Sequence, residues 1–222
     1  MEHRQSAFPY AWAPGGSLLP RLLQMNLPNK LTLLRFGLTA LMAIALQVEF
    51  PLACTVGLVL FGFASLTDYA DGAIARSRNL TTDFGALMDP LADKILMSTG
   101  LICLAALDYN GRPAVPAWAA IVIIGREFLI TGLRQLAAAK GVVLGADRFG
   151  KHKTIWQIVM ILYFLLLLSV AEWERKGWIA ALPFQDLLWK PLGSTLLGLA
   201  TALTIGSGLS YLWKNRSLIE DL

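Results

Sequence analysis

The chain has 222 residues, of which 56% are apolar and 15% charged, and its net charge is +4. Soluble domains are about 45–50% apolar and about 25% charged, so this composition excludes an ordinary soluble enzyme and also a disordered chain. A membrane-spanning helix needs about 20 residues, so one compact membrane domain of six or seven spans fits the length, and the positive charge indicates cytoplasmic loops and anionic headgroups rather than nucleic acid.

The N-terminal tail, residues 1–24, lacks the charged, apolar and cleavage-site order of a signal peptide. We consider two interpretations of it. Either Ser17 to Gln24 form a short interfacial helix, or the protein starts at Met25 and the first 24 residues are an artefact. In both cases residues 25–222 are expected to form the membrane domain.

Six apolar runs predict an all-α integral membrane protein. The predicted spans are 31–48, 51–76, 84–107, 113–134, 154–171 and 191–213. No run alternates polar and apolar residues over ten positions, which argues against barrel strands. Six spans place thirteen of the 19 Lys and Arg residues on one side, four on the other and two within spans. By the positive-inside rule, both termini are expected in the cytoplasm.

Four aspartates stand at depths where a membrane helix should carry no charge. Asp68 and Asp71 lie near the end of the second span, and Asp89 and Asp93 lie near the start of the third. The i,i+3 and i,i+4 spacings put each pair on one helix face, which predicts a four-carboxylate cluster at the cytoplasmic end. Like charges so close need a counter-ion, and all-oxygen ligation favours Mg²⁺, Mn²⁺ or Ca²⁺ over zinc. His152 is expected to be a loop residue rather than a ligand.

These aspartates belong to a longer motif that resembles the CDP-alcohol phosphatidyltransferase family. The motif reads Asp68-x2-Asp71-Gly72-x2-Ala75-Arg76-x8-Gly85-x3-Asp89-x3-Asp93. It matches the family pattern at every fixed position, and the resemblance covers nearly the whole chain from Met25.

Three further segments resemble the branch of that family that uses sn-glycerol 3-phosphate as acceptor. They are residues 26–35, Gly125-Arg126-Glu127 with Leu133-Arg134, and Gly150-Lys151-His152-Lys153-Thr154 with Gln157. The first segment also occurs in other branches, so the regions around Arg126 and Lys151 are the more telling ones.

The resemblance implies transfer of the phosphatidyl group from CDP-diacylglycerol to sn-glycerol 3-phosphate, with release of CMP. It implies that Asp68, Asp71 and Asp89 bind two divalent cations, Mg²⁺ or Mn²⁺. Asp93 is expected to be the general base and a further metal ligand. The residues expected to hold the CDP moiety are Asn29, Thr32, Gly72, Ala75, Arg76 and Gly85. The resemblance also implies a multi-pass protein of a bacterial-type inner membrane, with a cytoplasmic active site and a homodimer as a frequent assembly.

The acceptor brings a phosphate, so a cationic pocket is expected beside Asp93. The candidates are Arg126, Arg134, Lys151 and Lys153. For Arg126 the alternative is an ion pair within the membrane, and for the two lysines it is ordinary cytoplasmic charge. Glu127 is expected to be structural.

Two rival functions stay open. Another family acceptor would be serine, inositol phosphate or phosphatidylglycerol, and the aspartate motif does not discriminate among these, although a cationic pocket argues against serine. A divalent-cation transporter would need polar groups toward the far side of the membrane, and the predicted spans carry few there.

Overall fold

The computed structural model describes residues 27–48, 50–78, 83–142, 148–180 and 187–216. Within these ranges the side chains at 27–28, 69–78, 83–87 and 148–151 are not described. The tail, with its two interpretations, lies outside the described residues.

Six α-helices form most of the described chain. They are α1 (Leu27–Gln47), α2 (Ala53–Arg78), α3 (Asp83–Ala106), α4 (Ala117–Ala139), α5 (Arg148–Arg175) and α6 (Ser194–Lys214). Each overlaps one predicted span, which confirms the helical prediction. The largest difference is α5, which extends beyond the predicted 154–171 at both ends. A charged residue ends an apolar run in the sequence but need not end the helix, so the length of the run underestimates the length of the helix.

Among the described residues, three segments are long and apolar enough to cross a membrane: Asn29–Gln47, His152–Arg175 and Leu188–Lys214. A shorter apolar stretch, Ala53–Asp68, lies in α2. The helices α3 and α4 have 24 and 23 residues but carry ionisable side chains within them. The chain is therefore a mostly helical membrane protein, and the count of six spans stays a prediction.

The helices pack as a bundle in which α1 contacts α2 and α3, α5 contacts α2 and α6, and α4 contacts α3 and α6. Phe61, Leu101 and Ile161 are buried in the core. A Cβ added at Gly100 would lie 3.2 Å from Phe61 and 3.3 Å from Ile161, so α2, α3 and α5 meet closely there. We call the half of the bundle in which α1, α3 and α5 begin the polar half, and the half in which α2, α4 and α6 begin the opposite end.

The connection from α3 to α4 contains a β-hairpin that the sequence analysis did not predict. Strand β1 (Asp108–Tyr109) pairs antiparallel with β2 (Arg112–Pro113). Between them, Asn110 and Gly111 have φ values of 53° and 79°. An Asn-Gly pair with two positive φ angles is typical of a type I′ hairpin turn, so the dipeptide was the available signal.

A π-helical turn, Leu188–Gly193, runs directly into α6. The Tyr163 hydroxyl on α5 donates a hydrogen bond to the Leu188 carbonyl at 2.9 Å. The Trp189 ring stacks on Tyr109 of the hairpin, with ring centroids 3.9 Å apart. The start of α6 is thus fixed by both α5 and the hairpin.

Candidate active site

A buried arginine meets the first aspartate of the motif. The side chain of Arg35 on α1 is fully buried, and its Nη1 lies 2.7 Å from Oδ1 of Asp68 on α2. The Asp68 side chain itself is 44% exposed. A guanidinium buried without a counter-charge is strongly unfavourable, so this pair holds α1 against α2. Arg35 lies within the first apolar run, 31–48, and a charge at such a depth was a signal of a role in the sequence.

A second contact from α1 fixes the third aspartate of the motif. The Thr32 hydroxyl donates a hydrogen bond to Oδ1 of Asp89 on α3. Thr32 is fully buried and Asn29 is nearly so. Pro90, inside α3, brings no amide hydrogen, so the helix lacks one backbone bond next to Asp89. The predicted contacts of Asn29 and Thr32 with CDP stay predictions, and both residues lie in the polar half.

The fourth aspartate lies where helices converge. Asp93 is about 15 Å along α3 from its start, at a rise of about 1.5 Å per residue. Its carboxylate lies within electrostatic range of Asp68 on α2, Arg35 on α1 and Lys153 on α5, and of Lys94 beside it. Four helices therefore contribute charge to one place in the polar half.

Part of the motif falls where no side chain is described. The residues concerned are Asp71, Gly72, Ala75, Arg76 and Gly85. The backbone places the first four on α2 and the last on α3. Among the described side chains, no three from His, Cys, Asp and Glu lie close enough together to hold a metal ion. Because Asp71 is outside that set, the four-carboxylate cluster stays a prediction.

The donor chemistry fits a hard divalent cation. Asp68, Asp89 and Asp93 offer only oxygen atoms, which Mg²⁺ and Mn²⁺ prefer. Asp68 keeps 44% of its side chain exposed although it contacts Arg35, so it retains surface for another ligand. His152 was predicted to lie in a loop, but it is an exposed residue of α5.

Glu127 on α4 joins two of the predicted cations. Nζ of Lys153 on α5 forms an ion pair with Oε1 of Glu127, and Nη1 of Arg126 lies 3.3 Å from the same oxygen. Arg126 also donates from Nη2 to Oγ of Ser207 on α6, at 3.1 Å. Lys153 is only 4% exposed, so the network is largely buried. The ion pair that was the alternative for Arg126 is therefore present in the structure, and the structural role of Glu127 stays a prediction.

Arg134, a further predicted cation, lies near the same network. Nε of Arg134 donates a hydrogen bond to the Tyr211 hydroxyl on α6 at 3.1 Å. Lys94 lies within electrostatic range of Arg126, Arg134 and Asp93. Arg126, Arg134 and Lys153 thus come together on the Asp93 side of the polar half, whereas the side chain of Lys151 is not described.

The sequence analysis missed the part of the site that α6 supplies. Ser207 and Tyr211 contact the two arginines, as described above, and a Cβ added at Gly208 would lie 3.0 Å from Cγ of Arg126. Small and aromatic residues in an apolar helix are ordinary in membrane proteins, so the sequence carried no signal for them.

Residues 25–205 match the CDP-alcohol phosphatidyltransferase family. The chain belongs to this family. It is 40% identical over 203 residues to CDP-diacylglycerol–glycerol-3-phosphate 3-phosphatidyltransferase of Bacillus subtilis (strain 168), covering 86% of this chain and 95% of that protein.

Two further relatives carry the same name. The protein of Rickettsia bellii (strain RML369-C) is 35% identical over 186 residues, covering 84% of this chain and 93% of the relative. The protein of Salmonella choleraesuis (strain SC-B67) is 30% identical over 201 residues, covering 90% of this chain and 100% of the relative. The resemblance predicted from the aspartate motif is confirmed, and the chain is a membrane transferase of phospholipid biosynthesis.

Proposed function

We propose that this chain transfers the phosphatidyl group of CDP-diacylglycerol to sn-glycerol 3-phosphate, giving phosphatidylglycerophosphate and CMP. The relatives named above carry this reaction in their names, and the chain covers at least 93% of each. The structural observation that carries the choice of acceptor is the cationic group of Arg126 and Lys153, in which Lys153 lies within electrostatic range of Asp93. A phosphorylated acceptor needs such a group, and serine does not.

In this proposal, Asp68, Asp71, Asp89 and Asp93 hold two divalent cations, Mg²⁺ or Mn²⁺. When bound, the cations neutralise charge that develops on the leaving CMP. The protein's own contribution is orientation, because Arg35 fixes Asp68 and Thr32 fixes Asp89. The residues that hold the CDP moiety are Asn29, Thr32, Gly72, Ala75, Arg76 and Gly85.

Asp93 serves as the general base. It removes the proton from the acceptor hydroxyl, whose oxygen attacks the phosphorus that carries the lipid, and the bond from that phosphorus to the CMP oxygen breaks. Lys153 on α5 lies within electrostatic range of Asp93, and Arg126 on α4 lies within range of Lys153. A phosphate bound to these cations therefore brings the acceptor hydroxyl within reach of this carboxylate.

Arg126, Arg134, Lys151 and Lys153 bind the acceptor phosphate. Arg126 and Lys153 already share Glu127 as a counter-charge, so an incoming phosphate adds negative charge to a group that holds more cations than carboxylates. Arginine presents two parallel donors to a phosphate, which favours Arg126 as the principal contact.

The polar half is proposed to face the cytoplasm of a bacterial-type inner membrane, with six spans and both termini on the cytoplasmic side. Three apolar helices and the excess of Lys and Arg in the loops at that side support this orientation. The headgroups of both substrates then meet in the polar half while the acyl chains stay in the bilayer. A homodimer stays a prediction.

One assay distinguishes the acceptors. Purified protein is given CDP-diacylglycerol with labelled glycerol 3-phosphate, inositol phosphate, phosphatidylglycerol or serine, and the labelled product lipid that forms with release of CMP is identified. We expect incorporation of glycerol 3-phosphate. Preferential incorporation of any other label would replace the proposed acceptor. Divalent-cation uptake into vesicles without CMP release would favour the transporter.

A further inference from the structure

The face of α6 that meets α4 carries three buried residues to which no role has been assigned. Ser207 is 6% exposed and Tyr211 is 3% exposed, and Gly208 is also buried. Spacings of three and four residues put Ser207, Gly208 and Tyr211 on one side of the helix. This side faces the cationic group proposed to bind the acceptor phosphate.

Polar contacts from this face orient both arginines of the cationic group. Oγ of Ser207 accepts a hydrogen bond from Nη2 of Arg126 at 3.1 Å. The Tyr211 hydroxyl accepts one from Nε of Arg134, also at 3.1 Å, and the Tyr211 ring centroid lies 5.1 Å from the Arg134 guanidinium carbon. Each guanidinium is therefore held by a buried oxygen of α6.

Gly208 provides the space that Arg126 occupies. A Cβ added at Gly208 would lie 3.0 Å from Cγ, 3.3 Å from Nε and 3.8 Å from Cδ of Arg126. The first two distances are shorter than an ordinary carbon contact, so any larger residue at this position would displace the arginine stem.

A separate contact holds α6 in place. Nε2 of Gln157 on α5 donates a hydrogen bond to Oγ1 of Thr204 at 2.9 Å, and both residues are buried. Thr204 is about one turn before Gly208, and Gln157 is about one turn after Lys153. This contact therefore fixes α6 relative to α5 and its Lys153.

We propose that Gly208 is a positioning residue for the acceptor. Its missing side chain sets where the stem of Arg126 lies, and Ser207 and Tyr211 fix the orientation of the two guanidinium groups toward the acceptor phosphate. The inference rests on the proposed function, in which Arg126 binds that phosphate. A guanidinium aligned before binding loses less conformational freedom when the phosphate arrives.

The test compares two glycines on the same helix. Gly208→Ala introduces the close contact with Arg126, whereas Gly206→Ala places a Cβ with nothing within 4 Å. Both changes give the same gain in helix propensity, so Gly206→Ala is the matched control. We expect Gly208→Ala to raise the KM for glycerol 3-phosphate by roughly 3- to 30-fold, because a misplaced binding group costs affinity. The KM for CDP-diacylglycerol should stay unchanged, Gly206→Ala should leave both KM values unchanged, and neither variant should lower the thermal midpoint in detergent.

A double-mutant cycle separates positioning from a general packing effect. Arg126→Ala removes Cγ, Cδ and Nε, the three atoms that a Cβ at position 208 would contact. Adding Gly208→Ala to Arg126→Ala should therefore change the acceptor KM no further. An equal extra loss in both backgrounds would overturn the positioning role. So would equal acceptor KM values for Gly208→Ala and Gly206→Ala.

The outcomes also separate this inference from the proposed function. If Arg126→Ala in a folded protein leaves the acceptor KM unchanged, the phosphate pocket itself is wrong. If Arg126→Ala raises that KM while Gly208→Ala does not, only the positioning role fails. Should Gly208→Ala fold poorly, Ser207→Ala and Tyr211→Phe each remove one oxygen and should raise the acceptor KM by roughly 3- to 10-fold. An unchanged acceptor KM in both would overturn the role of α6.

Discussion

Two carboxylates near opposite ends of the bundle have different surroundings. Glu172, at the opposite end of α5, is 7% exposed and accepts hydrogen bonds from the amides of Cys54 and Thr55 at 2.7 and 3.0 Å. The Thr55 hydroxyl donates a third, at 3.0 Å. Asp68, in the polar half, is 44% exposed and lies 2.7 Å from the buried guanidinium of Arg35.

The two carboxylates differ in the kind of partner that each contacts, and this difference decides whether the carboxylate has oxygen surface left for a ligand. Glu172 satisfies amides at the start of α2, where backbone donors have no partner within the helix and the helix dipole favours negative charge. Its acceptor capacity is taken up by the fold. Asp68 has a cationic partner and exposed surface, so it can accept a further ligand.

Of the changes considered, removal of divalent cations should have the largest effect on turnover. EDTA should abolish turnover, and Mg²⁺ or Mn²⁺ should restore it, because the aspartates of the polar half repel one another without cations. The assay measures CMP release before and after metal is added back. Full activity in metal-free protein would contradict a metal-assisted reaction.

Asp93→Asn should lower kcat by about 10²–10⁴-fold, since an amide cannot accept the acceptor proton. Binding of CDP-diacylglycerol should stay largely intact, whereas Asp71→Asn should weaken both binding and turnover. Glu172→Gln is the matched carboxylate-to-amide control at the opposite end, and its kcat should be normal. Equal loss of donor binding in the Asp71 and Asp93 variants would make Asp93 mainly a metal ligand.

Arg126→Ala should raise the KM for glycerol 3-phosphate about 10- to 150-fold, because a charge-assisted contact contributes about 1.5–3 kcal/mol. The KM for CDP-diacylglycerol should hardly change. Arg126→Lys should recover only part of the loss, because lysine lacks the two-donor geometry. A thermal melt in detergent accompanies the kinetics, since a variant that merely breaks the contact with Glu127 would fold poorly instead of losing acceptor affinity.

The smallest effect on catalysis is expected from Glu172→Ala. It should lower the free energy of unfolding by about 2–4 kcal/mol, because the amides of Cys54 and Thr55 lose their acceptor in a buried environment. Glu172→Gln keeps one acceptor oxygen and should lose less. Unfolding is followed in detergent, and both substrate KM values are measured below the melting temperature. A kinetic defect at unchanged stability would show that the opposite end takes part in the reaction.

The sequence predicted the helices well because hydrophobic runs of this length have few alternatives in a membrane. It also singled out Asp68, Asp89 and Asp93, since charge within an apolar helix is costly and therefore informative, and their roles in the site stay predictions. Asp71 and Lys151 stay predictions, because their side chains are not described.

The pairings were not predictable, because they join helices that are far apart in sequence. The residues next to them in the sequence do not indicate that Arg35 pairs with Asp68 or that Glu127 pairs with Lys153. Gly208 contributes by having no side chain where Arg126 packs. In a single sequence this glycine looks the same as any other small residue of an apolar helix. The hairpin is the exception, because the dipeptide Asn110-Gly111 is a local signal from which it could have been predicted.

The π-helical turn Leu188–Gly193 has a consequence for the far end of α6. A π turn holds about one residue more than an α turn, and each residue rotates an α-helix by about 100°. The aromatic stack on Trp189 therefore sets the angular register of a helix face that begins about 20 Å away, at Ser207. Deleting one residue from the turn would let it close as an α turn with little rotation of that face, whereas deleting one residue of α6 before Ser207 would rotate the face by about 100° away from the arginines of the polar half.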